Sequence, residues 1–277
     1  MITESETMTD LPETNCLITE LDKGWLTIWL NRPEVRNAMS RELSDELLAV
    51  LSAIRDDRTV RGVTIRGKGG AFCAGGDLKE FKANFQSGDQ KPEEVAAYSQ
   101  EIGSMFEALS TLPMPVIMLV EGPAMAGGFG IVCTGDVVIV TEDAKFAMTE
   151  TAIGIPPAQI IPHVAARLGM AVARRLTMTA ARIDSAEALQ VGLADYVLPD
   201  IAAAEALEAE FRSRVMRCAP GANAASKEIL HATRNLQGQA MVDFAAKGFA
   251  DAIIGPEGRE GIASFLEKRK PVWANED

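Results

Sequence analysis

This 277-residue chain lacks most of the signals that mark metal, disulfide, membrane or nucleic-acid proteins. Its two histidines, His163 and His231, are too few and too far apart in sequence to suggest a metal cluster. The four cysteines (Cys16, Cys73, Cys133 and Cys218) form no C-x-x-C pair, so reduced and mostly buried thiols are expected. No apolar run approaches the roughly eighteen residues of a membrane span. The first thirteen residues are rich in threonine and acids, with neither a basic n-region nor an apolar h-region. No signal peptide is read there, and a cytoplasmic location is expected. Basic charge is also scarce: 27 Lys and Arg face 39 Asp and Glu, a net charge of −12. That balance repels nucleic acid and anionic membrane over most of the surface. It still allows an anionic ligand, which needs only a local basic patch.

The common nucleotide and hydrolase motifs are missing too. No G-x-S-x-G elbow is present, and no G-x-G-x-x-G follows a strand with an acid about twenty residues later. Gly62 to Gly69 nearly spells a P-loop, but Gly69 stands where a hydroxyl must reach magnesium, and Val63-Thr64-Ile65 reads as strand.

What is present suits one large domain, or a domain plus a small appendage. The hydrophobic fraction is 47% with 24% charged residues, enough for a sizeable core. Residues 16–21 and 25–30 read as strands around a turn at Asp22-Lys23-Gly24. Ser40 caps an amphipathic helix carrying Leu43, Leu47, Leu48, Leu51 and Ile54. Strands are expected at 61–66, 115–120 and 137–140, with a helix at 93–111. Helical patterns cluster later, at 163–178, 185–190, 199–217, 222–234, 239–252 and 256–269. This order predicts an α/β core followed by helices. The expected division is a flexible extension over 1–14, an α/β core over 15–198 and a helical subdomain over 199–277. The polar stretch Gln86–Pro92 reads as a mobile loop suited to a lid.

Two glycine-rich segments and one carboxylate carry the chemistry. They are Ala71 to Leu78, Glu121 to Gly130, and Glu150. Each glycine segment follows a β-branched run and is read as a strand-to-helix junction, where N–H groups have no intrahelical partner. Two such junctions facing each other could hold an oxygen that becomes negative during a reaction. A nearby carboxylate could then move a proton on the adjacent carbon. Either segment alone is mostly explained by tight turns and helix–strand packing.

Together, four motifs resemble those of the enoyl-CoA hydratase/isomerase (crotonase) family. They are Leu30 to Met39, Phe72 to Lys79, Gly122 to Gly130, and Glu260 to Lys270, so the resemblance spans residues 16 to 273. It implies a fold of repeated ββα units whose C-terminal helices build homotrimers, often paired into hexamers. It also implies an acyl-CoA thioester substrate, with coenzyme A arriving as part of the substrate and no further cofactor. By position, the backbone N–H groups of Gly76 and Gly127 would hold the thioester oxygen. Lys79 and Lys268 match basic residues near the CoA phosphates, with Arg32 and Arg36 as further candidates; ordinary solvated charge explains each equally well. Ala38 and Ala74 match backbone contacts to adenine and pantetheine, and Asp77, Leu78 and Gly128 are carried over as substrate contacts within the same loops.

The acid–base pair departs from the family pattern. Hydratases of the family use two glutamates; one position is Gly130 here, and the other is Glu150. A lone carboxylate can return a proton two carbons away, which favours double-bond isomerisation. The segment Thr151 to His163 points back to hydration, because it resembles branched glutaconyl-type hydratases such as isohexenylglutaconyl-CoA hydratase. Gln159 and His163 are candidates to meet a distal carboxylate of such a chain. Three functions stay open: hydration of an α,β-unsaturated enoyl-CoA, which is favoured; Δ3,Δ2-isomerisation with Glu150 as sole proton shuttle; and a CoA-thioester-binding scaffold with little turnover.

Overall fold

The computed structural model describes residues 10–85 and 91–274. Residues 1–9 of the expected extension and 86–90 of the expected lid lie outside the described residues. β1 (Leu17–Asp22) and β2 (Trp25–Leu30) form an antiparallel hairpin. Its turn residues Lys23 and Gly24 have φ of 47° and 76°, the left-handed values that a two-residue hairpin turn demands. Ser40 accepts a hydrogen bond from Leu43 N at 3.1 Å and opens α1 (Arg41–Ile54), which buries Leu43, Leu47, Val50, Leu51 and Ile54. β3 (Gly62–Gly67) runs parallel to β2, so the near-P-loop stretch is strand.

α2 (Leu78–Phe85) and α3 (Pro92–Ser110) lead to β4 (Val116–Val120), which is buried throughout. There follow β5 (Pro123–Met125), α4 (Gly127–Cys133), β6 (Val137–Thr141) and β7 (Lys145–Ala147). Next come α5 (Ile161–Thr179, broken at Gly169), β8 (Arg182–Asp184), α6 (Ser185–Gln190) and β9 (Tyr196–Leu198). The chain ends in α7 (Ile201–Val215), α8 (Pro220–Ala232), α9 (Gly238–Ile254) and α10 (Pro256–Glu267).

The strands form two sheets, one of six in the order β1-β2-β3-β4-β6-β9 and one of three in the order β5-β7-β8. The pairs β4–β5 and β6–β7 each send a five-residue strand into the large sheet and a three-residue strand into the small one. The architecture is the α/β fold of repeated ββα units that the motifs implied. The core fills one face of the large sheet, under α1, α3 and α5. α7 covers the other face, packing Ala204, Leu207 and Phe211 over Ile117, Leu119 and Ile139. There the buried Glu208 is satisfied by Arg212 at 2.6 Å and by the Thr64 hydroxyl, as a buried carboxylate requires. α9 buries none of its side chains, and Phe249, Ile254, Phe265 and Leu266 stand exposed on α9 and α10.

Candidate active site

The two glycine loops are zipped together. Phe72 N and Cys73 N both donate to Pro123 O at 3.1 Å, and Met125 N donates to Cys73 O at 2.8 Å. Gly75, at φ 96°, permits the contact, since a Cβ there would stand 2.6 Å from Ala126 Cβ. Met39 bridges the first loop by donating to Gly75 O at 2.7 Å and accepting from Asp77 N at 2.9 Å. This ladder skips Gly76, whose N–H has no acceptor among the described residues. In the second loop Ala126 adopts φ 51°, ψ −120°, a conformation costly for a residue with a Cβ. It is held there by its own N–H on Ala147 O at 2.7 Å and by Gly130 N on its carbonyl at 3.1 Å. The resulting kink leaves the N–H of Gly127, first residue of α4, also without an acceptor among the described residues.

Gly76 and Gly127 line one cavity of about 470 Å³. Neither accepts a side chain without a shift of its neighbour: a Cβ on Gly76 would lie 2.9 Å from the Phe81 ring, and one on Gly127 would lie 2.2 Å from Met39 Cε. The second loop is therefore not a direct strand-to-helix junction as expected. The short strand β5 intervenes, and it does the positioning. Its pairing with β7, Met125 opposite Ala147, sets Gly127 beside the segment that leads to Glu150.

Glu150 begins a 3-10 turn over Glu150–Ile153, closed by Gly154 at φ 81° and by Ile155 N on Glu150 O at 3.0 Å. Its Oε2 is buried and has no hydrogen-bond partner. Burial pushes its pKa above the ordinary carboxylate value, partly offset by a bond from its own backbone N–H. It is the only carboxylate among the described residues that line the cavity. Two free N–H donors and the unpartnered Oε2 of Glu150 thus share a mostly apolar cavity. There an oxyanion is strongly stabilised, and a proton beside a carbonyl becomes removable.

The position of the missing second glutamate is filled. A Cβ on Gly130 would lie 2.3 Å from Ile160 Cγ2 and 3.0 Å from Phe106 Cε1. Gln159 lines the cavity, as expected for a substrate contact. His163 does not: it is buried with its ring centroid 5.9 Å from that of Phe106, its Nδ1 has no partner, and burial lowers its pKa. α5 turns this side chain into the core, which corrects its expected place in the cavity wall.

Among the other expected contacts, Ala74 and Leu78 line the cavity. Ala74 N donates to the carbonyl of the exposed Arg36 at 2.9 Å. Ala38 is buried, and its carbonyl accepts from Arg32. Asp77 is engaged by Arg32 at 3.2 Å and by the N–H groups of Lys79 and Glu80. Burial pushes its pKa up, but these partners outweigh it and hold the carboxyl below its ordinary value. Lys79 lies in an outer depression with Arg32 and Arg41, facing Glu42, Asp45, Glu46, Asp77 and Glu80. Gly128 lines neither hollow; a Cβ there would meet Cys73 O at 2.5 Å, so it lets the two loops close. Lys268 caps α10 at φ 55°, is exposed, and lines neither hollow. The sequence reading singled out no role for Asn37. Its buried side chain accepts from Arg32 N at 2.8 Å and donates to Lys68 O and Ala71 O at 2.9 and 2.7 Å, stapling the Arg32–Ala38 loop to the first glycine loop. Its place inside the Leu30 to Met39 motif was the available signal.

A ββα-repeat fold presents two backbone donors and one carboxylate to a single cavity. A sequence profile described as enoyl-CoA hydratase/isomerase matches residues 20–276, and the chain belongs to that family. It is similar to the structure of Pseudomonas aeruginosa AtuE, with 45% identity, TM-score 0.90, and coverage of 94% of this chain and 100% of the other. It is also similar to an enoyl-CoA hydratase/isomerase from Marinobacter aquaeolei, with 38% identity, TM-score 0.89, and coverage of 94% and 99%. A methylglutaconyl-CoA hydratase of Mus musculus is 29% identical over 94% of this chain and 82% of its own length. The protein is an enzyme of this family, with an acyl-CoA substrate. No helix among its described residues is long and apolar enough to cross a membrane.

Proposed function

We propose that this enzyme adds water to the double bond of an α,β-unsaturated enoyl-CoA. One observation carries the reading: the unpartnered Oε2 of Glu150 shares a cavity with the free N–H groups of Gly76 and Gly127. In this scheme Glu150 takes a proton from water as the water oxygen bonds to the β carbon. The electron pair of the double bond moves to the thioester oxygen, held by the two N–H groups. Glu150 then returns the proton to the α carbon. Each oxyanion donor is worth about 2.7–4 kcal/mol in the transition state. The Thr151 to His163 segment and the mouse relative named methylglutaconyl-CoA hydratase support a branched, glutaconyl-type chain.

In the same reading Arg36, Lys79 and Lys268 serve the CoA phosphates, and Ala38, Ala74, Asp77, Leu78 and Gly128 shape the pantetheine and adenine path. Coenzyme A enters with the substrate, and no further cofactor takes part. The exposed apolar side chains of α9 and α10 support assembly into trimers or dimers of trimers, which light scattering tests directly.

A second reading, 3-enoyl to 2-enoyl isomerisation by Glu150 alone, is favoured by the apolar packing of Ile160 and Phe106 against Gly130, which leaves no second acid. The deciding experiment is mass spectrometry and chromatography of 2-enoyl-, 3-enoyl- and 3-methylglutaconyl-type CoA esters, with Glu150→Gln as control. Gain of one water, lost in the variant, supports hydration. Conversion of a 3-enoyl to a 2-enoyl ester at unchanged mass, without water addition, replaces it by isomerisation.

A further inference from the structure

The cavity wall formed by α3 and residues 155–160 is mostly apolar, yet one part of it is built around an amide. Gln159 follows the rigid Pro156-Pro157-Ala158 turn, and its Nε2 donates to Ser99 Oγ on α3 at 2.9 Å. α3 accommodates this side chain with a glycine: a Cβ on Gly103 would stand 2.3 Å from Gln159 Oε1 and 2.9 Å from its Cδ. A glycine inside a helix costs about 1 kcal/mol relative to alanine. The helix therefore gives up stability at the position where the amide crosses it.

The donor count shows what the pair can bind. A glutamine amide carries two N–H groups and a serine hydroxyl one O–H. One N–H is used on Ser99 Oγ, which accepts and keeps its own proton to donate. The second Nε2–H and the Ser99 O–H have no acceptor among the described residues. No cationic side chain lines the cavity among those residues, so recognition at this wall works through N–H and O–H donors. Paired donors in an apolar wall bind an oxygen acceptor well. They disfavour a chain that displaces their water and offers nothing in return.

We propose that Gln159 and Ser99 form a specificity subsite for an oxygen acceptor, a carboxylate or a neutral carbonyl, carried on the acyl chain. Substrates bearing such a group are preferred over purely alkyl enoyl chains. The inference rests on the hydratase reading for its role in turnover, and on the geometry of the wall for binding.

The test is calorimetric binding of three saturated CoA thioesters matched in length, ending in a carboxylate, its methyl ester and an alkyl group. Turnover of the unsaturated forms is measured in parallel. For wild type we expect the carboxylate, the ester or both to bind more tightly than the alkyl chain. In Gln159→Leu that preference falls about 10- to 100-fold. Loss on the carboxylate alone identifies an anionic acceptor; loss on both identifies a carbonyl. Gly103→Ala, which displaces the amide without removing it, is expected to reduce the preference in the same direction. Circular dichroism of both variants checks folding. The subsite is overturned if wild type shows no preference, or if Gln159→Leu changes all three affinities by one factor. It is also overturned if kcat falls equally on all three with the preference intact, which would make the pair a holder of the attacking water. If wild type hydrates none of the esters, the hydratase reading fails, while the ratio of affinities still decides the subsite.

Discussion

The cavity has two walls of different make. On one, the working groups are the N–H groups of Gly76 and Gly127 and the carboxylate of Glu150, all placed by backbone pairing through the Cys73–Ala124 bridge and the β5–β7 register. On the other, α3 and residues 155–160 present only side chains: Phe106 and Ile160 against Gly130, and Gln159 against Ser99. Donors supplied by the backbone are not removed by exchanging a side chain, and Glu150 is the one working side chain of that wall. A wall made of side chains can be re-cut one residue at a time, so substrate choice resides there.

The sharpest way to break this contrast is Glu150→Gln. We expect kcat to fall about 10²- to 10⁴-fold with thioester affinity retained. In the wild type the ionised carboxylate is the active form, so kcat/KM falls as the pH is lowered through a pKa above the ordinary 4.5. A pH profile with its acid limb at or below that value would show that burial does not raise the Glu150 pKa.

Gly127→Ala comes next. The added Cβ meets Met39 Cε at 2.2 Å and must displace the loop or the methionine. We expect kcat/KM to fall about 10²- to 10³-fold, as for loss of one oxyanion donor. Met39→Ala in the same chain should recover part of it; full activity of the single variant would show that the Met39 side chain yields and leaves the Gly127 N–H in place.

On the opposite wall, Gly130→Glu restores the family's second acid in sequence but has no room to place it. The Ile160 and Phe106 contacts predict a stability loss of about 1–3 kcal/mol in urea unfolding and no gain in hydration rate. A stable, faster variant would mean that this wall opens readily.

The smallest effect expected is at His163, behind that wall. Burial lowers its pKa, so the unfolded chain takes up the proton first as pH falls below 6.5. Stability is therefore full above that pH and declines below it, by less than about 1.4 kcal/mol per pH unit for one group. His163→Phe should flatten the slope of Tm against pH. His231, whose pKa burial also lowers, supplies a remainder of the same sign.

Much of this was legible from residues alone. The hairpin, the Ser40 cap, the buried β4 run and the late helices follow from local pattern, because alternation, capping and turn chemistry act within a few residues. The strands β5, β7 and β8 were not read, since three residues carry no period. They nevertheless hold the site together. His163 was expected, with Gln159, as a candidate to meet a distal carboxylate; the α5 helix turns it into the core instead.

By itself the sequence determined the longer strands and the late helices, the family motifs, the two loops where glycine must stand and the carboxylate that remains. Those features are set by local sterics and by residue chemistry. The tertiary structure alone decided that Gly76, Gly127 and Glu150 face one cavity, that Ile160 and Phe106 close the space at Gly130, and that Gly103 makes room for Gln159. Those contacts join residues from separate elements, and only packing against the two sheets brings them within touching distance.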